Sequence, residues 1–228
     1  MNLYKLVTGI FVLLAFASAK GAETAETDTV TASDVFVNTP TRTLDILTRS
    51  QRMDLLDYYK ADSIYNVMNV MEGFSHLVPP VTDRFIQVQL TPVTLFTVKI
   101  LAAKKKGPLA MTVYTVGDSL LANDSEIRFY DTALNELDRD KYIKLASTKD
   151  FFDFKGTDGK TRKEIIDLIP FPTVKYTVTP DGNRMTAELT VGEFLTKETL
   201  EKISPYLRRT REYEWNGSKW ELLPMRSE

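Results

Sequence analysis

The sequence predicts an α+β fold: antiparallel β-meanders with short helices packed on one face, in two tandem helix-plus-meander units. Three observations carry that prediction. RFIQVQLT alternates apolar and polar residues, LFTVKILA and LAMTVYTV are β-branched and apolar, and only short loops separate the three runs. A stretch with helical spacing, TRTLDILTRSQRMDLLDYYKAD, precedes them. The second half repeats the order: KTRKEIIDLI resembles QRMDLLDYY, VKYTVTP resembles IQVQLTP, MTAELTV resembles MTVYTV, and REYEWNGSKWEL closes as IRFYDTALNEL does. The offsets between these pairs differ, so the loops differ in length between halves, and the fixed short period of a solenoid or propeller is missing.

At the N-terminus, MNLYKLVTGIFVLLAFASAKGAE combines Lys5, an apolar run from Leu6 to Phe16, and the small residues Ala17 and Ala19, the pattern of a cleaved secretory signal over residues 1–19. The run is shorter than the roughly 20 residues a spanning helix needs, and a chain without Cys has no thiol for a lipid anchor. The expected product is exported, periplasmic or secreted, and not lipid-anchored. Residues 20–34, KGAETAETDTVTASD, are small and polar and read as a flexible leader, because they bury too little to offset the entropy of ordering. The first α+β unit then spans 35–140 and the second 141–228.

Order begins near Val35-Phe36-Val37. Leu44, Leu47, Met53, Leu56 and Tyr59 stand at helical spacings, which predicts two short helices in a bent pair with Ser50 capping the second. IYNVMNVM fits a strand or a short helix, and Pro79-Pro80 is expected to end whichever forms. EIRFYD makes a fourth strand and DTALNEL its turn and return. Lys104-Lys105-Lys106 before Gly107-Pro108 reads as a solvated hairpin loop, and Pro180–Asn183 and Thr157–Lys160 as turns. After a helix over 196–203, SPYLRR breaks near Pro205. Asn216-Gly217 predicts a two-residue hairpin that sets Trp215 opposite Ser218, Glu214 opposite Lys219, and Tyr213 opposite Trp220.

Composition removes several functions. The formal charge is −2 with acids and bases interspersed, so no basic stripe predicts nucleic-acid binding. HExxH, GxSxG and Gly-rich phosphate loops are missing, and the single histidine, His76, reads as a loop residue that cannot build a multi-histidine metal site. No cofactor, metal site or catalytic residue is expected. Asp150 and Asp153 offer a carboxylate pair and Asp138 and Asp140 an oxygen-ligand pair, but neither carries the rest of a known motif. The feature most like a binding patch is the cluster of Arg209, Arg211, Tyr213, Trp215 and Trp220, since Arg, Tyr and Trp dominate interface hot spots. Aromatics on alternate strand positions also build cores. Exposed tryptophans would favour the first reading and buried ones the second.

DVFVNTP, LTRSQRMDLLDYY, RFIQVQLTP, SEIRFYDTALNEL, PFPTVKYTVTPDGN and YEWNGSKWEL, in this order, resemble a family of secreted Bacteroidales proteins of unknown function, domain of unknown function 3256. The resemblance implies export from a Gram-negative cell and supplies no functional residues. For such a source, Asp followed by Ser or Thr and an apolar residue is similar to an O-glycosylation acceptor, which would mark Thr29, Ser63, Ser119 and Thr132. The expectation for function is an exported non-catalytic protein that binds a protein or envelope glycan through an exposed sheet face or the C-terminal cluster. The alternative is an exported hydrolase of unrecognised type using carboxylates.

Overall fold

Two capping boxes open the helical layer. The computed structural model describes residues 30–63, 66–104, 107–117, 122–169 and 171–225, so the expected signal, residues 20–29 of the leader, Lys105 and Lys106 lie outside the described residues. Thr31 Oγ accepts from Asp34 N at 3.1 Å while Asp34 Oδ2 accepts from Thr31 N at 3.0 Å, and helix α1 runs Ala32–Asn38. Helix α1 therefore takes in residues 32–34 of the expected leader, with Ala32 fully buried. Thr48 and Gln51 form the second box, and α2 runs Arg49–Lys60. Ser50 lies within the helix: the glutamine three residues beyond Thr48 completes a reciprocal cap that Ser50 has no partner to make. Leu44 and Leu47 are fully buried, but from the irregular segment between the helices. Arg52 is buried there too, donating to the Phe36 and Thr39 carbonyls at 2.9 and 2.6 Å and so closing the C-terminal end of α1.

The helices cover one face of a seven-stranded antiparallel meander: β1 Val67–Met68, β2 Phe74–Thr82, β3 Phe85–Thr91, β4 Thr94–Leu101, β5 Leu109–Val116, β6 Asp124–Tyr130 and β7 Glu136–Leu137, paired in that order. Ile86, Val88, Leu90, Phe96, Val98 and Ile100 alternate onto the helical side and join Val35, Phe36, Leu44 and Leu55 in one core. Pro79-Pro80 does not end its element. Strand β2 runs through both prolines, where its register against β3 shifts between Val78 and Thr82 and no ladder pair needs the missing N–H.

Residues 141–225 pack on the opposite face. Helix α3 (Gly159–Asp167) is capped by Asp158, so the expected turn at Thr157–Lys160 is a helix start; β8 (Val174–Val178), β9 (Arg184–Leu189), α4 (Lys197–Ile203), β10 (Thr210–Trp215) and β11 (Trp220–Leu222) follow. The strands form a four-stranded antiparallel sheet ordered β11-β10-β9-β8. Its buried side chains share a second core with Met111 and Val113 of β5 and Ile127 and Phe129 of β6. Each large side chain fully buried in such a layer contributes about 1.5–3 kcal/mol. Polar bonds cross the same boundary: Trp215 Nε1 donates to Ala102 O at 2.7 Å, and buried Lys99 donates to Thr179 O at 3.2 Å and to Pro180 O.

The terminal hairpin differs in register from the two-residue expectation. Asn216 Oδ1 accepts from Ser218 N and Lys219 N at 2.9 and 3.0 Å, and Gly217 sits at φ +89°, which builds a four-residue loop. Trp215 therefore faces Trp220 rather than Ser218, Glu214 faces Glu221, and Tyr213 faces Leu222.

Candidate functional site

The aromatic and basic cluster turns inward. Along β10 every second residue is buried, and Arg211, Tyr213 and Trp215 occupy those positions, with Trp220 joining them from β11; Arg209, before β10, is exposed. Arg211 donates to Asp150 O and, at 2.6 Å, to Leu223 O, while Tyr213 Oη donates to Lys144 O at 2.9 Å. Burial, together with the neighbouring Tyr176 phenol, pushes the Tyr213 phenol well above the usual tyrosine range. The expected binding face is thus a structural core for four of its five members. The two indoles lie 5.8 Å apart, and their faces are spent on packing.

The other singled-out groups do not converge. His76 lies in β2, opposite Gln89 in β3, and not in a loop. The Asp150 carboxylate caps Ser147 N at 2.8 Å, whereas Asp153 faces Arg208 at 3.5 Å. Asp138 caps the 3-10 turn Arg139–Lys141, and Asp140 pairs with Arg139 at 2.9 Å. Among the described residues, no three His, Asp or Glu side chains are placed to hold a metal ion. Thr132 is exposed in the turn before β7, Ser63 is half-buried after α2, and Thr29 and Ser119 lie outside the described residues.

A different surface stands out at the β1–β2 corner. Met68, Val70, Met71 and Phe74 are 57, 54, 67 and 57% exposed within seven residues, and Met68 faces Phe74 across the strand pair. Exposed apolar side chains grouped in this way mark interaction surfaces. The backbone that displays them is fixed from beneath. Asn69 is buried; its Nδ2 donates to Leu90 O at 2.9 Å and Ser75 Oγ at 3.1 Å, and its Oδ1 accepts from Met71 N at 3.0 Å and Gly73 N at 3.1 Å. Val70 N donates to Ile46 O and Gln51 Nε2 to Met68 O, which ties the corner to the helical layer. Glu72 takes φ +60° at the tip, a left-handed conformation held by this bonding. The sequence signal was the run VMNVMEGF, whose apolar residues fit a buried strand as well as an exposed tip.

The larger cavities lie elsewhere. One of about 670 Å³ opens at the other end of the sheet, between Val30, Arg84, Leu101 and Pro108; its wall is mainly apolar, and among the described residues Asp83 and Arg84 are the charged ones that line it. A second, of about 540 Å³, lies between the segment 140–150 and β11.

A family model described as "Protein of unknown function (DUF3256)" matches residues 24–220. The chain is also similar to a solved structure described as a domain of an uncharacterized protein from Porphyromonas gingivalis W83, with a TM-score of 0.72 and 20% identity over 85% of this chain and 98% of that one. At that identity the likeness speaks for the fold alone. No curated protein matches the chain.

Proposed function

The chain belongs to this DUF3256 family of unknown function, and from that premise we propose that it is an exported, non-catalytic binding module that contacts a partner protein of a Bacteroidales cell envelope through the β1–β2 corner. The observation that carries the proposal is the preorganised exposure of Met68, Val70, Met71 and Phe74 on a turn fixed by buried Asn69. Holding apolar side chains in water on an ordered backbone costs stability, and a partner that covers them recovers it without a further ordering cost. Methionine side chains suit such a contact because they adapt to the opposing surface. Between Lys60 and Arg84 the chain has no Lys or Arg but carries Asp62, Glu72 and Asp83. That charge favours a partner whose apolar contact is flanked by Lys or Arg, and disfavours nucleic acid or an anionic lipid surface. Export is part of the proposal and rests on the pattern of the first 19 residues.

The test is crosslinking capture of the protein in its source cells beside a Met68→Ser, Phe74→Ser variant with unchanged thermal unfolding. The proposal expects one stoichiometric partner that the variant loses, and direct binding between the purified pair that weakens with salt. A partner retained by the folded variant, or the absence of any, would overturn it.

A further inference from the structure

We infer that the exposed corner is one end of a longer apolar rim, contributed by both units, against which a partner protein packs one continuous folded face; the inference rests on the reading of the corner given above. Among the described residues, ten large apolar side chains are exposed, and two of them, Met53 and Tyr58, stand on α2. The corner supplies four of the other eight. Val93, Val116, Phe171 and Phe194, at 37, 48, 78 and 64% exposed, are the remainder.

Strand pairing places these four beside the corner. Met68 faces Phe74, the first residue of β2, and β3 ends at Thr91, two residues beyond the Gln89 that faces His76 of β2. Thr91 faces Thr94 across the turn that carries Val93. Thr94 in turn faces Val116, the last residue of β5, and Gly117 N donates to Val93 O at 2.9 Å. Val116 faces Asp124, where β6 begins. The small sheet joins at this point: Asp124 Oδ1 accepts from Val174 N at 3.1 Å, and Asn123 O accepts from Thr190 Oγ1 at 2.5 Å. Phe171 precedes Val174 by three residues, and Phe194 follows Thr190 by four. The eight side chains therefore gather where β1 to β6, β8 and β9 start or finish on one side of the molecule. Five strand intervals of about 4.8 Å carry the rim roughly 24 Å across the large sheet before it reaches the small one.

Area decides what covers it. A large side chain that is more than half exposed offers on the order of 100 Å². The corner alone then offers about 400 Å², no more than the largest patch of an ordinary monomer. The rim offers about 800 Å², the share that each partner brings to a standard protein interface. A short peptide laid on the corner would leave Phe171 and Phe194 in water, whereas a folded face covers both ends. Glu72 stands at the tip of the corner, and the chain supplies no Lys or Arg between Lys60 and Arg84 to meet it. That favours a different protein, with a base beside its apolar face, over a second copy meeting the same corner.

The test places the photocrosslinking residue p-benzoylphenylalanine at Phe74, Phe171 or Phe194, or at Tyr58 as a control off the rim, in the full chain in its source cells. The expected result is the same polypeptide attached from all three rim positions and not from Tyr58. Once purified, that polypeptide should bind the Phe171→Ser, Phe194→Ser variant at least about tenfold more weakly than the native chain, and bind Met53→Ser as it binds the native chain. Both Phe171 and Phe194 are exposed, so the variant should keep its thermal unfolding. Attachment from Phe74 alone leaves the reading of the corner standing and overturns the rim, as does full affinity in the double variant. No attachment from any position overturns both. The chain's own peptides in the crosslink would give the rim to a second copy and overturn the inference. So would loss, in the same variant, of cosedimentation with vesicles of phosphatidylethanolamine and phosphatidylglycerol, which would give it to a lipid surface.

Discussion

Asn69→Ala removes four hydrogen bonds from the turn that carries the exposed corner, and its cost can be worked from the geometry. At about 1 kcal/mol net per bond the sum is about 4 kcal/mol. Two corrections lower it. Leu90 O keeps the bond from Ser75 Oγ at 2.6 Å, so that acceptor is not orphaned. Met71 N and Gly73 N lie in a partly exposed turn where water can replace the lost oxygen. The remaining loss is about 2 kcal/mol, which in a domain of this size lowers Tm by roughly 4–8 °C. Urea unfolding followed by tryptophan emission measures the first quantity. Amide exchange of residues 70–73 measures the local one, and it should accelerate by more than the global change explains, because the bonds removed belong to the turn. A loss under about 0.5 kcal/mol with unaltered exchange at Met71 and Gly73 would refute the claim that Asn69 fixes the corner.

Arg52→Met should cost about 2–4 kcal/mol by leaving the Phe36 and Thr39 carbonyls without their buried donor, read as a lowered urea midpoint with retained sheet signal by circular dichroism. A near-neutral result would mean that α1 is held by packing alone. Alkaline stability follows from the tyrosines. Burial raises both Tyr176 and Tyr213 in the folded state, so the unfolded chain releases these protons first: the contribution is fully present below about pH 10 and is lost as pH rises through the folded values. Urea midpoints between pH 8 and 11.5 should fall steeply above 10, and less steeply in Tyr213→Phe.

The strands of the large sheet were legible because β3 to β6 alternate or run β-branched between short loops, and the pleat converts that pattern directly into two faces. The helix starts were legible in kind. Thr48 and Ser50 are both good caps, however, and only reading ahead to Gln51 separates them. The terminal register depended on an Asn216 side chain that closes a wider loop than the Asn-Gly pair alone predicts. The C-terminal cluster left two readings open for a deeper reason. Arg, Tyr and Trp are interface residues by chemistry, but which side of β10 faces water is decided by β5 and β6, far away in the sequence. The β1–β2 corner was open for the same reason, since nothing local distinguishes VMNVM as interior from VMNVM on display.

The core between the two sheets has a consequence for how the chain comes into being. Until residues 141–225 are made, Met111, Val113, Ile127 and Phe129 have nothing to cover them, and the acceptors at Thr179 and Pro180 that Lys99 needs do not yet exist. Synthesis from the N-terminus therefore yields a half-built sheet with one greasy side bare, a state prone to self-association. A chain stopped at residue 140 leaves this face of the sheet open to water. The last strands to emerge are the ones that let the first strands settle.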